Sequence, residues 1–112
     1  MVTFGIERVF REDIDLVKGR SYALICHSAS VDREGRYVFE RLCAAASTRP
    51  RAIWVPEHGL FGEQAYMEPV PDSVDTRLSV PIRSLYGDGP DSLAPSREAL
   101  NGVDMVLFDL QD

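Results

Sequence analysis

Glu57 and His58 stand side by side, directly after the apolar run Ile53-Trp54-Val55 and the proline that ends it, Pro56. A carboxyl leaving an apolar strand beside a tryptophan would be partly desolvated. That favours its protonated form and suits it to general acid work. Glu57 is therefore the first candidate for a catalytic group. His58 could serve as a base, as a hydrogen-bond partner for Glu57 or as a metal ligand. The only other histidine is His27, far earlier in the chain. Zinc sites usually take three or four ligands, so no metal site is expected from this pair.

Other polar groups follow apolar runs in the same way. His27-Ser28-Ala29-Ser30 follows Tyr22-Ala23-Leu24-Ile25-Cys26, and Tyr86-Gly87-Asp88 follows Ile82-Arg83-Ser84-Leu85. The run Val103 to Leu110 contains Asp109 and leads into Gln111 and Asp112. At the two-residue period of a strand Asp109 and Gln111 share one face. Asp109 is read either as a second carboxylate or sugar-hydroxyl acceptor, or as a cap on nearby backbone amides. Glu63 and Glu68 lie in a long polar stretch and are further carboxylate candidates. Ser28, Ser30, Gly59 and Gly62 could cradle an anion. Neither the three-glycine dinucleotide turn nor a phosphate loop ending in Lys-Ser/Thr occurs, so no nucleotide cofactor is expected.

These groups need elements to hold them. The apolar spacing of Ile6, Val9, Phe10, Ile14 and Val17 suits a short amphipathic helix over 5–17, interrupted near Asp13 and stopped at Gly19. Residues 21–26 form a short, near-continuous apolar run, the pattern of a strand buried on both faces. Val38, Phe39, Leu42, Ala45 and Ala46 recur at helical spacing and predict a helix over 35–47. Strands are expected over 51–55, 82–86 and 103–110, with a short helix over 95–101 and a long functional loop over 56–80. Strands alternating with helices imply an α/β fold with a mostly parallel sheet and right-handed crossovers. In such sheets ligands bind beyond the carboxyl ends of the strands. That rule gathers His27, Ser28, Glu57, His58, Asp109, Gln111 and Asp112 at one edge.

The chain has 112 residues, enough for one core, and 45% hydrophobic residues place it among ordinary globular proteins. A net charge of −6 argues against nucleic acid or an anionic membrane as partner, since both need clustered Lys and Arg. Cys26 and Cys43 both lie in apolar segments and read as buried thiols acting as small hydrophobes. No apolar run approaches the ~20 residues needed to span a bilayer. The start carries no basic stretch followed by an apolar one, so no signal peptide is expected in this chain. A cytoplasmic protein fits, as does an exported one whose signal has been removed. A strand ending almost at the last residue suggests a fragment of a longer protein.

Four blocks together resemble one family. They are Lys18-Gly19-Arg20 followed, after the first strand, by Ser30 to Arg36; Val55-Pro56-Glu57-His58-Gly59-Leu60-Phe61-Gly62; Pro81 to Gly87; and Gly102 to Asp112. Their content and order are similar to the NamZ-like exo-β-N-acetylmuramidases. The resemblance implies a Rossmann-like, three-layer amino-terminal domain over 1–112, incomplete here, followed by a second α/β domain with the active site between them. It implies release of N-acetylmuramic acid from non-reducing ends of peptidoglycan fragments, with Glu57 as catalytic carboxylate and no cofactor. The partner is then a peptidoglycan-derived sugar, with His58, Asp109, Gln111 and Asp112 at motif positions expected to line its pocket; His27, Ser28 and Glu68 are candidates for binding it by their place in the chain. Two stretches differ from the common family pattern: His27-Ser28-Ala29 stands in place of an Asn-Gln-Thr-like segment, and Phe61 in place of Arg. The competing reading is a non-catalytic carbohydrate- or anion-binding α/β module.

Overall fold

The computed structural model describes residues 2–56, 73–75, 80–85 and 95–110. Helix α1 spans Gly5–Arg11, strand β1 Tyr22–Cys26, helix α2 Val38–Cys43 and strand β2 Ala52–Val55. Strand β3 follows at Ser73–Asp75, β4 at Val80–Ser84, helix α3 at Arg97–Leu100 and β5 at Met105–Asp109. Single 3-10 turns occupy Ile14–Leu16 and Ala46–Thr48. The sheet order is β3-β4-β2-β1-β5. Strands β1, β2, β4 and β5 are mutually parallel, and the short β3 runs antiparallel to β4 at one edge. The fold is α/β with a mostly parallel sheet, as the strand-and-helix alternation predicts.

Period-two alternation assigns each strand residue to a layer. Tyr22, Leu24 and Cys26 of β1 share one face with Ile53, Val55, Val80 and Ile82. There they pack against Ile6, Val17, Val38, Phe39, Leu42 and Cys43 from the α1 and α2 side. Ala23, Ala52 and Trp54 face the other way, against Ile25, Leu85, Ala99 and Val103. Among the described residues helices thus lie on both faces, with α3 contributing Ala99 to the second. The register Ala23↔Ala52 sets two small residues side by side on that face, with Ile25↔Trp54 filling the next position. Burying aliphatic side chains of the size of Leu24, Ile53 or Leu42 contributes roughly 1.5–3 kcal/mol each relative to exposure.

The observed elements differ from the expected ones in instructive places. The predicted helix over 35–47 is shorter, because the segment Ser30–Tyr37 is held in a tight loop. Val31 and Tyr37 form an isolated antiparallel bridge across it, and the Val38 amide donates to the Ser30 carbonyl at 2.9 Å. The third parallel strand begins at Val80, earlier than the sequence suggests. Pro81, just before the expected start at Ile82, is the second residue of β4, near the strand start where a missing amide is tolerated. Strand β3 lies inside the stretch read as a loop, and three residues are too few to show a periodicity. Strand β5 is a sheet edge: Val106 and Phe108 on its outer face are 41% and 64% exposed.

The turn into β5 is set by Gly102, whose φ of +78° lies in the left-handed region that side chains disfavour. The Ser21 hydroxyl donates to the Gly102 carbonyl, and the Asp104 amide donates to the Ser21 carbonyl at 2.8 Å. These bonds start β5 alongside β1. A Cβ on Gly102 would stand 3.3 Å from the Arg51 guanidinium carbon. Gly102→Ala is expected to lower stability by about 1–2 kcal/mol, mainly through the backbone strain. Urea unfolding monitored by circular dichroism checks this, and an unchanged midpoint would show that the turn relaxes freely.

Candidate functional site

The carboxyl ends of β1, β2, β4 and β5 share one edge of the sheet, because all four strands are parallel. The register places Cys26, the last residue of β1, opposite Asp109, the last of β5. His27 follows β1 directly and is half-buried, as is Ser28. Pro56 ends β2, and Leu85 follows β4 with its amide bonded to the Val55 carbonyl at 2.7 Å. The predicted residues His27, Ser28 and Asp109 therefore do stand at this edge. Glu57, His58, Glu63, Glu68, Gln111 and Asp112, with Gly59, Phe61, Gly62 and the segment Tyr86-Gly87-Asp88, lie outside the described residues.

Ser30 organises the described part of the edge. Its side chain is fully buried. The hydroxyl donates to the Asp109 carbonyl at 2.6 Å and accepts from the His27 amide at 3.1 Å. Sequence reading offered Ser30 as part of an anion cradle. The structure corrects this, since both functions of the hydroxyl are taken within the fold. The Ala29 amide donates to His27 Nδ1 at 3.2 Å, which turns the ring back over its own loop.

The same loop carries a buried carboxylate that the sequence reading passed over. Asp32 accepts from the amides of Glu34 and Arg36 at 2.9 and 3.0 Å. It also accepts from Arg36 Nε at 2.8 Å and from Arg41 Nη1 at 3.1 Å. Burial alone would raise its proton affinity. The hydrogen bonds from Arg36 and Glu34, with the Arg36 charge, outweigh that and hold the carboxyl below the ordinary carboxylate range. Glu7 ties α1 to the loop. It pairs with Arg33 Nε at 3.0 Å and accepts from the Phe4 amide at 3.2 Å. The Arg33 hydrogen bond leads in lowering its affinity for a proton, against a smaller opposing effect of burial. The Asp-x-x-Gly spacing of Asp32 and Gly35 was the available signal, since such aspartates bond to the amides of their own turn.

Cys26 is buried at the end of β1. Burial first, then the neighbouring Asp109 charge, pushes its thiol far above the ordinary range. It stays protonated and cannot act as a nucleophile, which agrees with its reading as a small hydrophobe. Cys43 is likewise buried and free. No helix among the described residues is long and apolar enough to cross a membrane.

The family model for the amino-terminal part of the exo-β-N-acetylmuramidase NamZ matches residues 22–112, from the first residue of β1 to the last of the chain. The chain belongs to the NamZ family. It is 30% identical over 111 residues to the peptidoglycan β-N-acetylmuramidase NamZ of Bacillus subtilis, and covers 99% of this chain and 26% of that protein. A crystal structure of a DUF1343 family protein from Bacteroides fragilis superimposes with a TM-score of 0.79 at 27% identity, over 96% of this chain and 26% of the other. A second such protein from the same organism gives 0.69 at 22% identity, over 96% of this chain and 25% of the other, and supports the fold alone. The chain thus spans about a quarter of the length of these relatives.

Two carboxylates that brace the β1–α2 loop, Asp32 within it and Glu7 from α1, make its integrity depend on pH. Asp32 and Glu7 bind protons less tightly folded than unfolded. Their stabilisation is therefore complete above the ordinary carboxylate range near pH 4 and is lost as pH falls through it toward their lowered values. Asp32→Asn should reduce stability at neutral pH and flatten this acid limb. Thermal melts across acid and neutral buffers read both effects; a variant whose melting point falls as steeply with acid as the parent's would remove Asp32 as a source of the limb.

Proposed function

We propose that this chain is the amino-terminal α/β part of a glycoside hydrolase acting on peptidoglycan. In its complete form the enzyme releases N-acetylmuramic acid from the non-reducing ends of peptidoglycan fragments. The observation that carries this reading is the family match, which runs unbroken through all the strand ends that form the candidate edge. The similarity to a peptidoglycan β-N-acetylmuramidase over nearly the whole chain supports the substrate class.

The chemistry asks for two groups. One carboxylic acid protonates the leaving glycosidic oxygen, and a second group attacks or stabilises the sugar carbon from the other face. Glu57 is the proposed acid. It follows Pro56 at the carboxyl end of β2, the strand whose four residues are all buried. An acid emerging from an apolar strand keeps its proton more readily, and a general acid needs its proton at working pH. Asp109, Glu63 or Glu68 is the proposed second carboxylate within this chain, unless a later part of the enzyme supplies it. His27, Ser28, His58, Gln111 and Asp112 are proposed to bind the sugar, because hydroxyl-rich ligands need donors and acceptors converging from several strand ends.

The deciding experiment is hydrolysis of a para-nitrophenyl N-acetylmuramic acid glycoside by the complete protein, with the N-acetylglucosamine analogue alongside. Selective cleavage of the muramic substrate is expected. Glu57→Gln should lower kcat by roughly 10²–10⁴-fold while leaving the circular dichroism spectrum intact, as removal of a general acid does. Full activity in that variant would take Glu57 out of the mechanism. Muramic acid binding without turnover in the parent would replace the hydrolase by a carbohydrate-binding module.

A further inference from the structure

Two short basic segments, well apart in the sequence, meet in the fold. Lys18-Gly19-Arg20 stands just before β1, and Arg49-Pro50-Arg51 just before β2. The two strands are parallel neighbours, so both segments reach the amino end of the sheet. Backbone bonds hold them together there. The Gly19 amide donates to the Ser47 carbonyl at 2.9 Å, and the Arg51 amide to the Tyr22 carbonyl at 2.7 Å. Lys18, Arg20, Arg49 and Arg51 are all exposed. They are four of the 12 Lys and Arg residues in a chain whose net charge is −6.

Little in their surroundings cancels that charge. Among the described residues Arg8, Arg33, Arg36 and Arg41 are in ion pairs, and none of these four is. Arg49 donates to the neutral Cys43 carbonyl at 3.4 Å, and the Arg51 guanidinium lies beside the Gly102 turn. The exposed acids of the adjoining turns are Asp15 and Asp104, two against four cations. Asp109 stands at the opposite edge, a strand length away, which is about 17 Å for the five residues of β1. That is twice the Debye length of about 8 Å at physiological salt, so a partner at the basic end is screened from the far edge. The overall charge argues against an anionic surface only as an average, and the fold divides it between two ends.

Apolar side chains accompany the cations. Leu16 is 57% exposed and Leu100 43%. Leu16 ends the 3-10 turn that leads into Lys18, whose amide donates to the Ile14 carbonyl at 3.0 Å. Leu100 ends α3, and the turn after it is tied to Ser21, the neighbour of Arg20, through the Asp104 amide. A soluble polyanion needs the charges alone. A lipid surface takes both kinds of group: its phosphates meet the cations, and leucines reach the acyl boundary.

We propose that the amino end of the sheet is a docking surface for an anionic lipid membrane, with Lys18, Arg20, Arg49 and Arg51 on the headgroup phosphates and Leu16 and Leu100 beside them. Docking in this way turns the carboxyl edge of the sheet away from the bilayer, toward a polymer lying beyond it. That consequence rests on the glycosidase reading, whereas the docking surface rests on the charges and leucines themselves.

Flotation of the complete protein with vesicles tests this, using phosphatidylcholine alone and phosphatidylcholine mixed with phosphatidylglycerol. Binding is expected to the mixed vesicles only and to weaken as salt rises. Each cation near such a surface multiplies binding roughly fivefold. Arg20→Glu combined with Arg51→Glu should therefore weaken it by at least about tenfold, with the circular dichroism spectrum and the hydrolysis of a soluble glycoside unchanged. Leu16→Ser combined with Leu100→Ser should weaken it too, and this loss should persist at high salt. Equal binding to both kinds of vesicle, or to neither, overturns the proposal. So does capture by inorganic polyphosphate without capture by vesicles, which would make the partner a soluble polyanion, and so does full vesicle binding by either double variant. Absence of hydrolysis by the parent would remove the glycosidase reading and leave the vesicle result standing.

Discussion

The parallel register between β1 and β5 fixes where the polar groups of the edge stand. Tyr22 lies opposite Met105, Leu24 opposite Leu107 and Cys26 opposite Asp109. Because parallel partners point to the same face, a slip by one residue would turn Leu107 outward and Phe108 inward. It would also carry the Asp109 carbonyl away from Ser30. The register is held at the start by Ser21 and Gly102 and at the end by Ser30 and Asp109. Each clamp joins a side-chain hydroxyl near β1 to a backbone carbonyl near β5, so the two strands are pinned outside their ladder as well as along it.

The β1–α2 loop is stabilised differently from the core beneath it. Below the loop, Leu24, Phe39, Leu42 and Ile53 are packed in the apolar core. In the loop, a buried carboxylate gathers two backbone amides and two arginines. Such a group is costly to bury and rigid once satisfied, because every lone pair has a directional partner. Arg41 also rests over the Phe10 ring at 3.8 Å, linking α2 to α1. Rigidity of this kind suits a segment whose neighbours His27 and Ser28 are proposed to hold a ligand, since positioning groups work best when their own geometry is over-determined.

The sequence discloses most of the framework because the governing signals are local. Tyr22-Ala23-Leu24-Ile25-Cys26 carries the pattern of a strand covered on both sides, and Gly19, with φ +68°, stops the first helical segment as its type suggests. Ser96 caps α3, accepting from the Ala99 amide at 3.1 Å. From these, strand order aside, the α/β class and the shared edge follow. The missed features depend on partners distant in sequence. The antiparallel β3 has too few residues to signal itself and exists through its pairing with β4. Ser30 looks like any loop serine, and its Asp109 partner is visible only in three dimensions. Asp32 reads as one charge among several until its arginines and amides close around it.

The Ser30–Asp109 bond joins groups 79 positions apart in the chain. Contacts that close long loops form late, because the entropy of closure must be met before they can reward it. The neighbouring β1–β2 pair closes a much shorter loop through α2 and can assemble early. Until β5 has left the ribosome, β1 keeps one side open, and the histidine loop above it has no carbonyl to latch onto. The ordering of the strand edge is thus tied to the order of synthesis: the loop bearing His27 gains its Asp109 partner only once β5 has been made.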